Sequence, residues 1–206
     1  MVLADEVNRA APKSQSALLE AMEEQQVTVD GKSWELPQPF VVIATQNPAH
    51  QIGTYPLPES QLDRFLMQIS LGYPSEPLER KLLRGDDRRG MLKTLTPQIG
   101  GDELPALQQA IKLVEVSEAL LDYVQALTRY TREHPDFELG LSPRASIDLI
   151  NAARAWALIQ GHAGVQPEDL QSVFAAVADH RLRLNSASGS MPGQAAMQVL
   201  AEVAIP

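Results

Sequence analysis

The stretch Met1–Ala10, MVLADEVNRA, places two carboxylates directly after a short apolar run. Residues 1–4 read as a short buried strand, so Asp5 and Glu6 would lie at the carboxyl edge of an α/β sheet, where ligands bind. Phosphoryl transfer needs one carboxylate to hold Mg²⁺ and another to polarise the attacking water. Adjacent acids at a strand end can divide these tasks. The alternatives are a solvated loop or a helix start that favours negative charge.

A second apolar run, FVVIAT at residues 40–45, has the composition of a strand buried on both faces, as in a parallel sheet. Asn47 closes this run, so its amide would emerge at the same sheet edge as Asp5 and Glu6. An amide in that place can orient a nucleophilic water or contact a γ-phosphate. Alternatively, Asn47 and Pro48 simply begin a turn.

Two arginines stand at the boundaries of predicted elements. Arg64 lies in LDRF, and Arg144 opens a predicted helix, where its charge opposes the helix dipole. Guanidinium groups stabilise the charge on a transferring phosphoryl group and can come from a neighbouring subunit. The position of Arg144 at its own helix start suggests an anion from outside. The alternatives are ordinary ion pairs, which for Arg64 would involve Asp63 or a nearby acid.

The periodicity divides the chain near Pro74. Residues 1–74 predict an α/β domain with a helix at 14–25, a hairpin around Asp30 and Gly31, a short helix at 57–65 and a strand at 65–71. Residues 75–206 predict an all-helical domain, because strand signals stop there. Its helices are predicted at 75–86, 104–112, 117–134, 142–162 and 166–182, with loops at 85–101 and 185–193 and a final apolar segment at 195–206.

Composition narrows the possible functions. The 206 residues carry a net charge of −9, which disfavours a phosphate backbone as the main partner. The absence of cysteine excludes disulfides and thiolate metal sites and fits a reducing cytoplasm. No apolar stretch is long enough to cross a bilayer, and no secretory signal is recognisable. The four histidines show no metal-ligand spacing.

Several blocks of the sequence, taken in order, resemble the MoxR family of AAA+ ATPases. They are ADEVNRAAPKSQSALLEAMEE, the hairpin VTVDGKSWELPQPF, IATQNP, GTYPLPESQLDRF, TRYTRE, LGLSPRA, ADHRL and VLAEVAIP. The resemblance implies the C-terminal part of an AAA+ P-loop core, with a partial parallel sheet, followed by an all-helical lid domain.

The resemblance also implies roles for the polar residues. Asp5 and Glu6 match Walker B, so Asp5 would help to hold Mg²⁺ and Glu6 would be the base for the attacking water. Asn47 matches sensor 1. Arg64 matches the arginine finger, which reaches the nucleotide of the adjacent subunit, and Arg144 matches sensor 2, which reads the γ-phosphate in its own subunit. We therefore expect all five to converge on one ATP site, partly supplied by a neighbouring subunit.

Two further features follow from the resemblance. The hairpin is similar to the one that precedes sensor 1 and points toward the central pore of related rings. Arg9 falls in the EVNRA block, and an intersubunit contact is the expectation for it.

One family motif is absent from these 206 residues: the GxxxxGK[ST] loop that holds the phosphates. Its strand belongs between the Asn47 strand and the strand predicted at 65–71, so the latter is expected to lack its neighbour. We interpret the chain as a truncated fragment that starts at Walker B and hydrolyses ATP slowly or not at all.

For the whole protein, the resemblance implies an ATP-driven remodeller or activator of protein clients. It would form a hexameric ring in the cytoplasm, with a von Willebrand A-type partner and neither nucleic acid nor a membrane span. Two alternatives stay open: a non-enzymatic helical interaction module, and a DNA-associated AAA+ motor. The acidic composition disfavours the motor, and the hairpin offers Lys32 and Trp34 but no basic cluster.

Overall fold

The computed structural model describes residues 1–47, 55–85, 90, 94–101, 103–185 and 194–205. Parts of the loops predicted at 85–101 and 185–193 lie outside these residues. Residues 94–101 form turns and irregular backbone, as predicted, whereas residue 90 is helical.

Two short strands, β1 (Val2–Ala4) and β4 (Val42–Ala44), form a parallel pair. Leu3 stands opposite Ile43, and the ladder continues through Thr45 N, which donates to Ala4 O at 3.0 Å. This confirms the predicted parallel pairing. Because both strands run in the same direction, the residues that follow them meet at one edge.

Between these strands lie a 3₁₀ turn (Val7–Arg9), helix α1 (Pro12–Glu24) and the hairpin strands β2 (Gln26–Val29) and β3 (Lys32–Glu35). The hairpin turn has positive φ at both central residues, 51° at Asp30 and 75° at Gly31. This is the geometry that an Asp-Gly turn favours between twisted strands, so the predicted hairpin is confirmed.

The strand predicted at residues 65–71 is not formed. The chain turns after α2 (Glu59–Leu62), and the segment then makes a backbone bond from Gln68 N to Ala176 O at 2.8 Å. Its apolar pattern suits a strand, but no strand among the described residues lies beside it. Ile69 and Leu71 are 76% and 92% exposed.

The rest of the chain is mainly helical. The helices are α3 (Glu76–Leu83), α4 (Glu103–Leu113), α5 (Glu118–Glu133), α6 (Pro143–Gln160), α7 (Pro167–Ala178) and α8 (Gln194–Glu202). The predicted caps are confirmed: Ser117 Oγ accepts from Leu120 N at 3.2 Å, and Ser142 Oγ accepts from Ala145 N at 3.0 Å. Gly161 ends α6 with φ 79°.

The helical part also holds a strand pair that the sequence did not predict. Strands β5 (Phe137–Leu139) and β6 (Arg183–Leu184) pair antiparallel. They are too short to show an alternating pattern. Gly140 follows β5 directly, and a Cβ there would lie 2.6 Å from Thr131 O, so only glycine lets the chain pass so close to α5.

The main hydrophobic cluster lies within the helical part, between Val114 and Val199. Leu127, Phe174 and Val199 are completely buried within it. The described residues of the α/β part bury only four apolar side chains: Val7, Leu19, Ala21 and Leu57. The helical part therefore supplies most of the hydrophobic stabilisation.

Within the described residues, no helix combines the length and the apolar character that a membrane span requires.

Candidate functional site

The structure brings three of the predicted site residues together. Asn47 Nδ2 donates to Glu6 Oε1 at 2.6 Å, and Thr45 Oγ1 donates to Asp5 Oδ1 at 2.5 Å. Arg9 Nε lies 3.0 Å from Glu6 Oε2, so both carboxylate oxygens of Glu6 are engaged. We call Asp5, Glu6, Arg9, Thr45 and Asn47 the acidic cluster.

The backbone of Glu6 has an uncommon conformation, with φ 49° and ψ 50°. Few residues other than glycine, asparagine and aspartate adopt this left-handed region. Two bonds to Thr45 hold it: Glu6 N donates to Thr45 Oγ1 at 2.9 Å, and Val7 N donates to Thr45 O at 3.0 Å. The end of β4 thus directs Glu6 toward Asn47, and such conformations cluster at functional sites.

The side chain of Gln15 holds this turn through two hydrogen bonds to backbone carbonyl groups. The sequence did not predict Gln15 as a functional residue. Its side chain is 2% exposed, and Nε2 donates to Val7 O at 3.1 Å and to Tyr55 O at 3.2 Å. The available signal was its position: Gln15 lies four residues before Leu19, on the apolar face of α1. A polar side chain on that face has to find buried partners.

The surroundings of the Asp5 carboxylate are compatible with binding the predicted magnesium ion. Thr45 engages Oδ1, whereas Oδ2 accepts no hydrogen bond from the described residues, and the side chain is exposed. No group of three or more candidate metal ligands occurs among the described residues. A single carboxylate completed by water and phosphate oxygens is how Mg²⁺ is commonly held beside a nucleotide.

The two predicted arginines lie together, away from the acidic cluster. Arg144 Nη2 donates to Glu23 Oε1 at 2.6 Å, and Arg64 Nη1 pairs with Glu23 Oε2 and donates to Leu19 O at 3.3 Å. We call Glu23, Arg64 and Arg144 the arginine cluster. The ion pairs foreseen as the alternative are present, but Glu23, not Asp63, is the partner of Arg64.

The arginine cluster lines a cavity of about 280 Å³, together with Met22, Leu66 and Asp148. The hydrogen bond from Arg144, helped by the charge of Arg64, holds the pKa of Glu23 below its ordinary value, while partial desolvation acts in the opposite direction. The cavity is therefore bordered by two guanidinium groups that share Glu23, and by a second carboxylate, Asp148, which pairs with Arg181.

The two clusters lie near opposite ends of α1. Glu6 lies next to Val7, which contacts Gln15 in the first turn, whereas Glu23 lies in the last turn. Glu23 lies eight positions after Gln15, which is about 12 Å along the helix axis. No hydrogen bond or ion pair joins the two clusters among the described residues, so the five predicted site residues do not meet at one point in a single chain.

Arg181 is a second residue that the sequence reasoning missed. Its side chain is 2% exposed, Nη2 donates to Asp148 Oδ2 at 2.6 Å, and Nε lies 3.0 Å from Asp63 Oδ1, although it is not aligned for a hydrogen bond. Nη2 also donates to the carbonyl groups of Asp63 and Phe65 at 3.0 and 2.9 Å. Arg181 thereby holds both neighbours of Arg64.

Two acids complete this network. Ser142 Oγ lies 2.9 Å from both carboxylate oxygens of Asp63 and donates to them, so Asp63 is committed to Ser142 and Arg181. Burial raises the pKa of Asp148, and the neighbouring guanidinium of Arg181 opposes that rise. The network joins the start of α6 to the segment that carries Arg64.

Two family models match the chain. Residues 1–67 match the model described as "ATPase family associated with various cellular activities (AAA)", and residues 129–203 match the AAA lid domain. The first match contains the acidic cluster, and the second contains Arg144 and Arg181.

Curated relatives narrow the family. YeaC of Bacillus subtilis is 45% identical over 185 residues, covering 90% of this chain and 58% of that protein. Chaperone MoxR1 of Mycobacterium tuberculosis is 42% identical over 193 residues, covering 89% of this chain and 50% of that protein. Protein MoxR of Paracoccus denitrificans is 30% identical over 202 residues, covering 89% and 59%. The chain belongs to the MoxR family of AAA+ ATPases.

This MoxR-family chain spans between 50% and 59% of the length of these relatives. Among solved structures, a candidate ATPase of Cytophaga hutchinsonii is 36% identical with a TM-score of 0.88, covering 99% of this chain and 66% of that one. The full-length MCM homolog of Methanopyrus kandleri shares the fold at 22% identity and a TM-score of 0.55, covering 88% and 38%. The predicted fold class is confirmed.

Proposed function

We propose that this chain contributes to ATP binding and hydrolysis in a MoxR-type AAA+ ATPase that remodels or activates protein clients. The observation that carries the proposal is the 2.6 Å hydrogen bond from Asn47 to Glu6, beside Asp5, at the carboxyl edge of a parallel strand pair. A base, an orienting amide and a metal-binding carboxylate are the groups that hydrolysis of a phosphoanhydride requires there.

In this proposal, Glu6 accepts the proton of the attacking water, and Asn47 and Arg9 fix the direction of its carboxylate. Asp5 would hold Mg²⁺, which when bound neutralises charge on the phosphate oxygens. Thr45 positions both acids, because its hydroxyl donates to the Asp5 carboxylate and accepts from the backbone amide of Glu6. Asp5 and Glu6 can therefore take the separate roles of metal ligand and base.

The arginine cluster suggests a change to the expected division of roles. Arg64 and Arg144 contact the same carboxylate, at the end of α1 remote from Glu6, so we propose that both face the same phosphate group. In a ring, that phosphate would belong to a nucleotide held by the neighbouring subunit. The expectation that Arg144 reads the nucleotide of its own subunit is replaced in this proposal.

We further propose a hexameric ring in the cytoplasm, protein clients and a von Willebrand A-type partner. The name of the mycobacterial relative, Chaperone MoxR1, supports action on proteins. The net charge of −9 supports the absence of nucleic acid from the partners.

The 206 residues contain no GxxxxGK[ST] loop, so we expect the chain alone to bind Mg·ATP weakly and to hydrolyse it slowly or not at all. Isothermal titration calorimetry and a phosphate-release assay measure both properties. Micromolar affinity together with steady turnover would contradict this part of the proposal.

The site itself is tested in a fusion that places the phosphate-loop segment of a MoxR relative ahead of Met1. We expect the fusion to hydrolyse ATP and Glu6→Gln to lower kcat by about 100-fold or more, because general-base catalysis is lost. The matched control is Glu24→Gln, which makes the same carboxylate-to-amide replacement at an exposed residue at the end of α1 and should leave kcat unchanged. An inactive parent fusion, or an E6Q fusion as active as its parent, would instead favour a non-enzymatic helical module.

A further inference from the structure

Glu23 holds two guanidinium groups from distant parts of the chain. Arg64 pairs with one carboxylate oxygen and Arg144 with the other. All three side chains stay partly open to solvent: 36% of Glu23, 32% of Arg64 and 42% of Arg144 is exposed. A dissolved anion can therefore approach the arginines without unfolding the site.

The positions of these charges are locally unfavourable in both helices. Glu23 lies in the last turn of α1, where the helix dipole disfavours negative charge, and Arg144 lies in the first turn of α6, where it disfavours positive charge. Each charge compensates the other across the contact. Neither charge stabilises the helix that carries it, so its position is explained by the contact between Glu23 and Arg144.

The arrangement matches the way guanidinium groups bind a phosphate. Each arginine donates to a separate oxygen of one anion, and arginine is favoured wherever phosphate or carboxylate oxygens are recognised. A terminal phosphate offers more charge and more oxygens than a carboxylate. The adjoining cavity of about 280 Å³ provides space for such a group beside Glu23.

We propose that Glu23 is an internal placeholder: it occupies the phosphate position between Arg64 and Arg144, and a polyphosphate ligand has to displace it. Glu23 acts through the arginines, so it is a positioning residue, which keeps two cations together until the ligand arrives. The inference rests on the proposed function only for the source of the phosphate, a nucleotide of a neighbouring subunit.

The test uses the whole chain and inorganic tripolyphosphate, without Mg²⁺ and at low ionic strength, followed by isothermal titration calorimetry. We expect Glu23→Gln to bind tripolyphosphate about tenfold more tightly than the parent chain, since one competing charge-assisted contact is removed. The matched control, Glu24→Gln, removes the same charge one residue away and should change affinity less than about twofold, because exposed charges are screened.

A second pair of variants shows whether the increase in tripolyphosphate affinity comes from this site. Adding Arg144→Gln to the Glu23→Gln chain should abolish the gain, since one of the two donors is lost. Glu23→Asp keeps the charge but is one methylene shorter, so it should bridge the arginines poorly and also tighten binding. If neither Glu23 variant binds more tightly than Glu24→Gln, or if Arg144→Gln leaves the gain intact, the placeholder role is overturned.

This outcome is separable from that of the proposed function. If E6Q leaves kcat unchanged while E23Q still binds tripolyphosphate more tightly, the proposed ATP hydrolysis is contradicted. An anion site that Glu23 occupies would remain. An E6Q effect without the E23Q gain would keep hydrolysis and reduce Glu23 to an ion-pair partner.

Discussion

At the residue scale, His180 is a half-buried titratable group next to the segment that carries Arg64. Its Nε2 lies 3.0 Å from Phe65 O, and Nδ1 is buried without a hydrogen-bond partner among the described residues. Burial is the main cause that lowers the pKa of His180 below its ordinary value, and the nearby charge of Arg181 acts in the same direction. The fold therefore favours the neutral imidazole.

This predicts an acid-sensitive contribution to stability. Because the folded-state pKa is lowered, the contribution is present above the unfolded-state pKa, about 6.5, and is lost as pH falls toward the folded-state pKa. Urea unfolding between pH 7 and pH 5 should show a smaller loss of unfolding free energy in His180→Gln, which can still donate to Phe65 O but does not titrate. His134→Gln, at a partly exposed ring, is the control. Equal pH slopes for H180Q and the parent chain would refute the prediction.

Residue-level prediction from sequence succeeded where the backbone fixes the answer. Parallel strands end at one edge, so the meeting of Asp5, Glu6 and Asn47 could be foreseen. Glu23 could not, because an acidic residue near a helix end looks like any exposed glutamate until the fold brings Arg64 and Arg144 beside it.

At the scale of elements, Arg181 joins three of them. It follows α7, pairs with Asp148 of α6 and holds the carbonyl groups that follow α2. A buried guanidinium stays charged, so the fold is stable only while the two carboxylates and the carbonyl groups remain in place to compensate that charge.

Removing this charge should be costly. Arg181→Met leaves Asp63 and Asp148 without their cation, and we expect a loss of about 3–5 kcal/mol in unfolding free energy, measured by urea denaturation. Two residues further on, Arg183 makes a surface pair with Glu59, and Arg183→Met should cost no more than about 1 kcal/mol. Similar losses in the two variants would show that the Arg181 network is not a special source of stability.

Elements with strong local signals were predictable, and those that depend on partners were not. Ser117 and Ser142 predict the starts of their helices, because a capping hydroxyl bonds to the backbone within the first turn. The segment 65–71 has the composition of a strand, but none of the described residues forms a strand beside it. Strands β5 and β6 are too short to show an alternating pattern.

At the scale of the whole molecule, burial is uneven. The main hydrophobic cluster lies in the helical part, whereas β1 and β4 expose Leu3 and Ile43. Elements with few buried apolar contacts open at lower free energy than the core.

Native-state hydrogen exchange of the whole chain should show this difference. Backbone amides of α6 and α7 should exchange about 100-fold or more slowly than the amides of Val2 and Thr45, whose hydrogen bonds lie at the two ends of the strand pair. Comparing only bonded amides controls for hydrogen bonding itself. Uniform protection across both sets would mean that the chain opens as a single cooperative unit.

The hydrogen bonds from Arg181 to the carbonyl groups of Asp63 and Phe65 couple the position of Arg64 to the helices. Both neighbours of Arg64 are bonded to Arg181, which also pairs with Asp148 on α6, the helix that carries Arg144. A tilt of the helical lid would therefore move both guanidinium groups in the same direction. In the proposed ring, a phosphate held by the neighbouring subunit would then gain or lose both contacts together.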